Sequence, residues 1–165
     1  MTDEHEEPMP KVTPFLWFDT EAEQAAKFYC SLFKKSKILQ TTYYGPGMQK
    51  AEGTVLTVRF RLDGQEFVAL NGGPEYKFNP AVSFVVNCKT QKEIDHLWKK
   101  LTMNGKEIAC GWLTDKYDIT WQIVPADMHK WISSKDQAKA NRVLKALMPM
   151  KKLILKDLQK AYKGK

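Results

Sequence analysis

Apolar residues recur along this chain with two periods, about two residues and about three and a half, and the switches between them mark out an ordered series of elements. Residues 12–18, VTPFLWF, read as a short strand. Thr20 and Glu23 then form a T-x-x-E capping box, and Ala22, Ala25, Ala26, Tyr29, Leu32 and Phe33 line one helical face, which predicts a helix near residues 20–34. Three strand-like runs follow, Lys37 to Tyr44, Gly53 to Leu62 and Gln65 to Asn71, the last two joined by Asp63-Gly64, a two-residue hairpin turn. The order is β-α-β-β-β.

The pattern then repeats. Ala81 to Cys88 reads as a strand, Thr90 and Glu93 make a second T-x-x-E box, and Ile94, Leu97, Trp98 and Leu101 form the apolar face of a helix near residues 91–103. Those four residues stand 69 positions beyond Ala25, Phe28, Tyr29 and Leu32, while the capping boxes match at 70, so the two halves read as a duplication with a one-residue slip. Between Asn104 and Pro125 two short strand-like runs flank a turn and carry Trp112, Asp115, Trp121 and Gln122. In the second run Ile119, Trp121 and Ile123 share one face, and Thr120, Gln122 and Val124 the other. From Ser133 the spacing is helical, and Pro149 divides it into two short helices, because proline lacks the backbone donor and clashes with the preceding turn. The expected fold is α+β: a leader over residues 1–10, a domain over 11–127 made of modules at about 11–75 and 80–127, and C-terminal helices over 133–163. A half-length module cannot cover both faces of its own sheet, so two modules should pair, within the chain or across a dimer.

Composition narrows the class. At 165 residues and 43% hydrophobic, the chain can bury a core without disulfide or metal staples. Cys30, Cys88 and Cys110 are odd in number and far apart, which fits reduced cysteines rather than a zinc knuckle or a disulfide framework. No apolar run approaches the roughly 20 residues of a membrane span, and the N-terminus lacks a signal pattern, so a cytoplasmic protein without membrane contact is expected. The net charge of +7 is uneven: residues 130–165 hold eleven Lys or Arg against Asp136 and Asp157, whereas residues 1–10 hold four acidic side chains and no Lys or Arg. A basic tail can attract nucleic acid, but lysines spread through a helical pattern more often form a solvated face, and nucleic acid is not the expected partner.

Few residues carry obvious chemistry. His5 lies in the leader, His96 beside an apolar helix face and His129 after the last strand, an arrangement of solvent-facing or structural histidines. Ser83 has no histidine or acidic neighbour in sequence, and Cys110 has no identifiable activating base, so neither reads as a nucleophile. Asn71-Gly72-Gly73-Pro74 reads as a turn before it reads as an anion loop. Phe84 and Trp121 alternate onto the helix-facing side as core, while Phe15 and Trp17 are the better candidates for a cavity.

The segments PFLWFDTEAEQAAKFYCSLF (Pro14 to Phe33), FVALNGGPEYKF (Phe67 to Phe78), SFVVNC (Ser83 to Cys88), CGWLTDKYDITWQIVP (Cys110 to Pro125) and RVLKALMPMKKL (Arg142 to Leu153) resemble the vicinal oxygen chelate superfamily of glyoxalases, bleomycin-resistance proteins and dioxygenases, and within it the PhnB-like branch. The resemblance covers nearly all of residues 12–155. It implies paired β-α-β-β-β modules, each curled sheet forming half of a cup, as in the dihydroxybiphenyl dioxygenase-like fold, and a homodimer. Members of the branch are often labelled demethylubiquinone methyltransferases, but the chain has no glycine-rich strand-to-helix turn of the nucleotide-binding kind. Metal-dependent members of the superfamily carry His, Gln or Glu ligands on the inner faces of four strands. Alternation places Thr13, Phe15 and Trp17, Ala69 and Asn71, Ala81, Ser83 and Val85, and Thr120, Gln122 and Val124 on those faces, and the four ligand positions transfer to Thr13 or Phe15, Ala69 or Asn71, Ala81, and Gln122. Such a set offers amides where a catalytic ion needs carboxylates or imidazoles. The sequence therefore reads as a protein that binds a small apolar or aromatic molecule through Phe15, Trp17, Asn71, Ser83, Trp112 and Gln122, with no metal or cofactor. The alternatives are a glyoxalase- or dioxygenase-type enzyme and binding of nucleic acid or protein through the basic tail.

Overall fold

A computed structural model gives the fold of residues 8–165. The leader expected over residues 1–10 lies mostly outside these described residues. The chain divides into two compact units, one ending at Lys77 and one spanning Phe78–Lys165.

The first unit holds β1 (Phe15–Phe18), α1 (Ala22–Leu32), β2 (Lys37–Tyr43), β3 (Val55–Leu62) and β4 (Gln65–Asn71). Its sheet has the order β1-β4-β3-β2, with β1 parallel to β4 and the other pairs antiparallel. The ladder starts at Phe15 rather than Val12: Pro14 has no N–H to give, though its carbonyl still accepts from Val68 N at 3.0 Å. Asp63 (φ 44°) and Gly64 (φ 91°) make the two-residue turn that the sequence predicts. Leu16, Phe18, Val58, Phe60, Phe67 and Ala69 are buried on the face toward α1, which meets them with Ala22, Ala25, Ala26 and Tyr29. Small helix residues leave room for rings from the sheet, and Phe60 stacks on Phe67 (5.5 Å) and on Tyr29 (6.4 Å).

The first capping box does not form. Helix α1 is preceded by Glu21, which makes no side-chain cap, and Ala22 N instead donates to Asn71 Oδ1 at 2.8 Å. A strand residue 49 positions away thus performs the work of an N-cap.

The second unit repeats the topology with β5 (Phe84–Cys88), α2 (Gln91–Thr102), β6 (Lys106–Glu107), β7 (Trp112–Thr114) and β8 (Thr120–Pro125), in the sheet order β5-β8-β7-β6. Three strands, not two, occupy residues 104–125, because β6 is only two residues long and leaves almost no periodic signal. Here the box does form: Thr90 Oγ1 accepts from Glu93 N at 3.2 Å, and the Glu93 carboxylate accepts from Lys89 N at 2.8 Å. Helix α2 buries large residues, Ile94, Leu97, Trp98 and Leu101, against Leu113, Trp121 and Ile123.

The chain continues into α3 (Met128–Ile132), α4 (Gln137–Leu147) and α5 (Leu155–Lys163), and α4 and α5 are separated around Pro149 as expected. The short α3 was not evident from the apolar pattern. These helices share a core with the sheet: Val143, Leu153 and Leu158 pack with Val124, Met128 and Trp131. Cys110 N donates to Met150 O at 2.7 Å and Gly111 N to Lys151 O at 2.8 Å, while the Gln91 amide holds both Leu153 O (3.0 Å) and Leu155 N (2.7 Å). Gly111 (φ +83°) is required at this crossing, since a Cβ there would lie 2.9 Å from Ile123 O and 3.0 Å from Leu153. The lysine-rich segment is therefore built into the second unit rather than hung on it. No helix of the described residues is long and apolar enough to cross a membrane.

Candidate functional site

Each sheet has one face against α1 or α2, and alternation decides which side chains the other, here called the open face, receives. On it Val68, Arg59 and Glu66 of the first sheet and Thr120 and Val124 of the second are buried, Val124 against the C-terminal helices. In the first sheet Phe15 pairs with Val68 and Trp17 with Leu70, and these in turn pair with Arg59 and Thr57. The open face thus carries a row of Trp17, Leu70 and Thr57, then a row of Phe15, Val68 and Arg59, then Glu66 with Arg61. Phe15 is 57% exposed. Trp17 is half-buried: its indole donates to Gly73 O at 2.9 Å and meets the Tyr76 ring edge-on at 4.9 Å. A Cβ on Gly72 would come within 2.3 Å of the Trp17 ring, so the Asn71–Pro74 segment is a turn shaped to let Trp17 lie against backbone.

Asn71 does not join this face. The run Glu66–Ala69 is buried on both sides and shows no alternation to set the parity, and the register puts Ala69 and Asn71 on the helix side. Asn71 is spent there, accepting from Ala22 N and donating to Val55 O at 3.1 Å. In its place the open face receives Glu66, whose oxygens accept from Arg59 Nε at 2.9 Å and Arg61 Nη2 at 2.7 Å. These hydrogen bonds, Arg59's first, hold the Glu66 carboxyl below the usual carboxylate range despite its burial. Sequence reasoning missed all three. The signal was present as Arg-x-Arg in one arm of a recognised hairpin and Glu directly across from it.

In the second sheet Val85, Gln122 and Trp112 lie side by side in register, and Gln122 Nε2 donates to Ser83 Oγ at 2.9 Å. The structure therefore brings Ser83, Trp112 and Gln122 together. Val85 beside them is half-exposed. Phe84 and Trp121 lie on the helix side, with ring centroids 5.6 Å apart, and the Trp121 indole donates to the buried Asp115 carboxylate at 2.9 Å. Asp115 also accepts from Tyr117 N and Ile119 N, so it anchors the turn before β8. Thr120 is buried with no partner for its hydroxyl among the described residues.

The donor set does not fit a catalytic divalent ion. Among the described residues no three His, Cys, Asp or Glu side chains converge, His96 and His129 are exposed, and Ala81 and Gln122 offer a methyl and a neutral amide. Burial pushes the Cys88 thiol up to about 12, with Glu93 adding to the shift, which leaves it an inert core group.

Comparison with known proteins agrees with this architecture. A family described as 3-demethylubiquinone-9 3-methyltransferase matches residues 10–124. A PhnB protein from Bacillus cereus, described as a putative 3-demethylubiquinone-9 3-methyltransferase, is 37% identical over 71% of this chain and all of its own, with a TM-score of 0.66. A Pseudomonas aeruginosa protein shares the fold at 15% identity and a TM-score of 0.58, covering 70% of this chain and 96% of its own. None of the curated proteins matches. By its matched family, by the Bacillus cereus relative and by its two β-α-β-β-β sheets, the chain belongs to the PhnB-like branch of the glyoxalase, or vicinal oxygen chelate, superfamily.

Proposed function

We propose that this protein binds a small, flat, largely apolar organic molecule on the open faces of its sheets, without a tightly held metal ion and as a homodimer. The observation that carries the reading is Phe15, which stands 57% exposed beside Trp17, Val68 and Leu70 on a sheet face that no helix of its unit covers. Burying a phenylalanine side chain is worth about 1.5–3 kcal/mol, so an aromatic left largely in water invites an apolar occupant. In the second sheet Trp112 and Val85 offer a similar surface, with the Ser83–Gln122 pair to orient a polar group. The metal-free part of the reading rests on donor chemistry, since amides and hydroxyls hold zinc, nickel or iron poorly.

The test is a calorimetric screen of small aromatic and quinone-like molecules, the latter suggested by the family description. Truncating Phe15 or Trp17 to Ala should weaken binding through lost contact, and Gln122→Ala should cost about 1–3 kcal/mol where it leaves a ligand group unpaired. Because the C-terminal helices share the core of the second unit, their charge is removed by Lys145, Lys156 and Lys160→Gln rather than by truncation. Binding of nucleic acid alone, falling steeply with salt and lost in that triple variant, would replace this reading with one centred on the basic helices. Stoichiometric metal lost on Gln122→Ala would replace it with a metalloenzyme.

A further inference from the structure

The turn that follows β4 brings a further ring beside the open face of the first sheet. Tyr76 is 66% exposed and meets the half-buried Trp17 with ring centroids 4.9 Å apart and ring planes at 83°. A perpendicular contact of this kind leaves a face of each ring bordering one corner. The turn fixes the indole: its N–H donates to Gly73 O at 2.9 Å, and Gly73 sits at φ +118°, a conformation open to glycine. The Glu75 carboxylate folds back over that same glycine, where an added Cβ would lie 2.4 Å from Oε2. Glu75 is exposed and makes no ion pair or hydrogen bond among the described residues. An unpaired acid and two ring faces therefore meet at one turn. Phe15, 57% exposed, stands two residues before Trp17 on the same face of β1, about 6.8 Å along the strand.

Resting on the small-molecule reading above, we infer that the ligand of this face is an aromatic cation, its alkylated ammonium head in the Trp17–Tyr76 corner and its ring over Phe15. The face of an aromatic ring carries the negative part of its quadrupole and attracts a cation placed over it. A fully alkylated ammonium suits the corner better than a primary one, because its charge is spread over methyl groups that donate no hydrogen bonds and ring faces replace their water well. Glu75 adds a full negative charge at the rim, which draws a cation and repels an acid. The spacing along β1 sets the size: an aryl ring joined directly to the ammonium bridges from the corner to Phe15.

The experiment uses the full chain near neutral pH and compares 4-hydroxyphenyltrimethylammonium with 4-tert-butylphenol by calorimetry, two molecules of one shape in which a positive nitrogen replaces a carbon. The wild type should bind the cation about ten-fold more tightly, the scale of two exposed cation–ring contacts. Tyr76→Leu keeps an apolar side chain and removes a ring face, so it should cut the preference to about two-fold and leave the phenol's affinity nearly unchanged. Tyr76→Phe should retain the full preference. Glu75→Gln should lower it about two-fold at low salt and less at high salt, where the carboxylate is screened. Both residues are exposed, so these changes leave the fold in place. Phe15→Ala should weaken both probes alike. Equal binding of the two probes, or tighter binding of the phenol, overturns the inference and leaves the small-molecule reading intact. A preference that survives Tyr76→Leu undiminished puts the cation elsewhere and overturns it too. Failure of both probes at millimolar concentration overturns it as well, while the broader screen judges the underlying reading separately.

Discussion

The two modules share one topology and solve its two recurring problems in opposite ways. Helix α1 presents alanines to a sheet rich in rings, and α2 presents Ile, Leu and Trp to a sheet whose facing residues are mostly smaller. The open face of the first sheet holds an Arg59–Glu66–Arg61 cluster, whereas that of the second holds the neutral Ser83–Gln122 pair. The repeat keeps the path of the backbone while most matching side chains differ, Leu32 and Leu101 being an exception. Close packing explains this: what the interior requires is filled space, and either partner can supply it.

The largest expected contrast lies on the open faces. Glu66→Gln leaves two guanidiniums without their shared carboxylate and should cost about 3–5 kcal/mol in urea unfolding. Gln122→Leu removes one neutral, half-buried hydrogen bond and should cost about 0.5–1.5 kcal/mol. Acid sharpens the contrast. The folded-state pKa of Glu66 is lowered, so its stabilisation is complete above the unfolded value of about 4.3 and is lost as pH falls through the folded value. The gap between wild type and Glu66→Gln should therefore narrow on acidification, and a gap constant down to about pH 3 would mean that the cluster does not behave as described.

Next come the helix faces. Leu97→Ala should open a cavity and cost about 2–5 kcal/mol. In the other module the informative change runs the opposite way: Ala25→Leu must force bulk between α1 and the rings of Phe60 and Phe67, at about 1–3 kcal/mol. If Ala25→Leu were neutral or stabilising, the claim that the rings fill the space spared by α1 would fail.

How far the sequence could be read follows from the same contrast. The β-α-β-β-β order, the Asp63-Gly64 turn and the break at Pro149 are local consequences of periodicity and backbone chemistry, and they were legible. Asn71 was not, because a strand buried on both faces offers no alternation and its parity is set by pairing with β1. The Arg59–Glu66–Arg61 cluster was hidden for the same reason, since its face follows from that parity. The first T-x-x-E box was misleading in a different way: the motif is present at Thr20 and Glu23, but a better acceptor arrives from Asn71. Asn71→Ala, which strands Ala22 N and Val55 O, should cost about 1–3 kcal/mol and lower the helicity of α1.

The smallest effect tests whether the two caps are interchangeable. Gly72 N donates to Phe18 O in the first module and Ala126 N to Cys88 O in the second, at 2.9 and 2.8 Å, so Asn71 and Pro125 hold equivalent posts at the ends of β4 and β8. Proline carries no side-chain acceptor, which is why α2 depends on its own Thr90. Thr90→Ala should cost about 1 kcal/mol. Adding Pro125→Asn to that variant places an amide oxygen where Asn71 reaches the start of α1, and it should recover about half of the loss by supplying Gln91 N with an acceptor. Pro125→Asn in the wild type should be close to neutral, because Thr90 already caps the helix and the gain from one amide offsets the freedom returned to the unfolded chain. Equal effects of Pro125→Asn in both backgrounds, read from urea midpoints, would show that the strand end cannot reach the second helix and that the modules differ in backbone as well as in side chains.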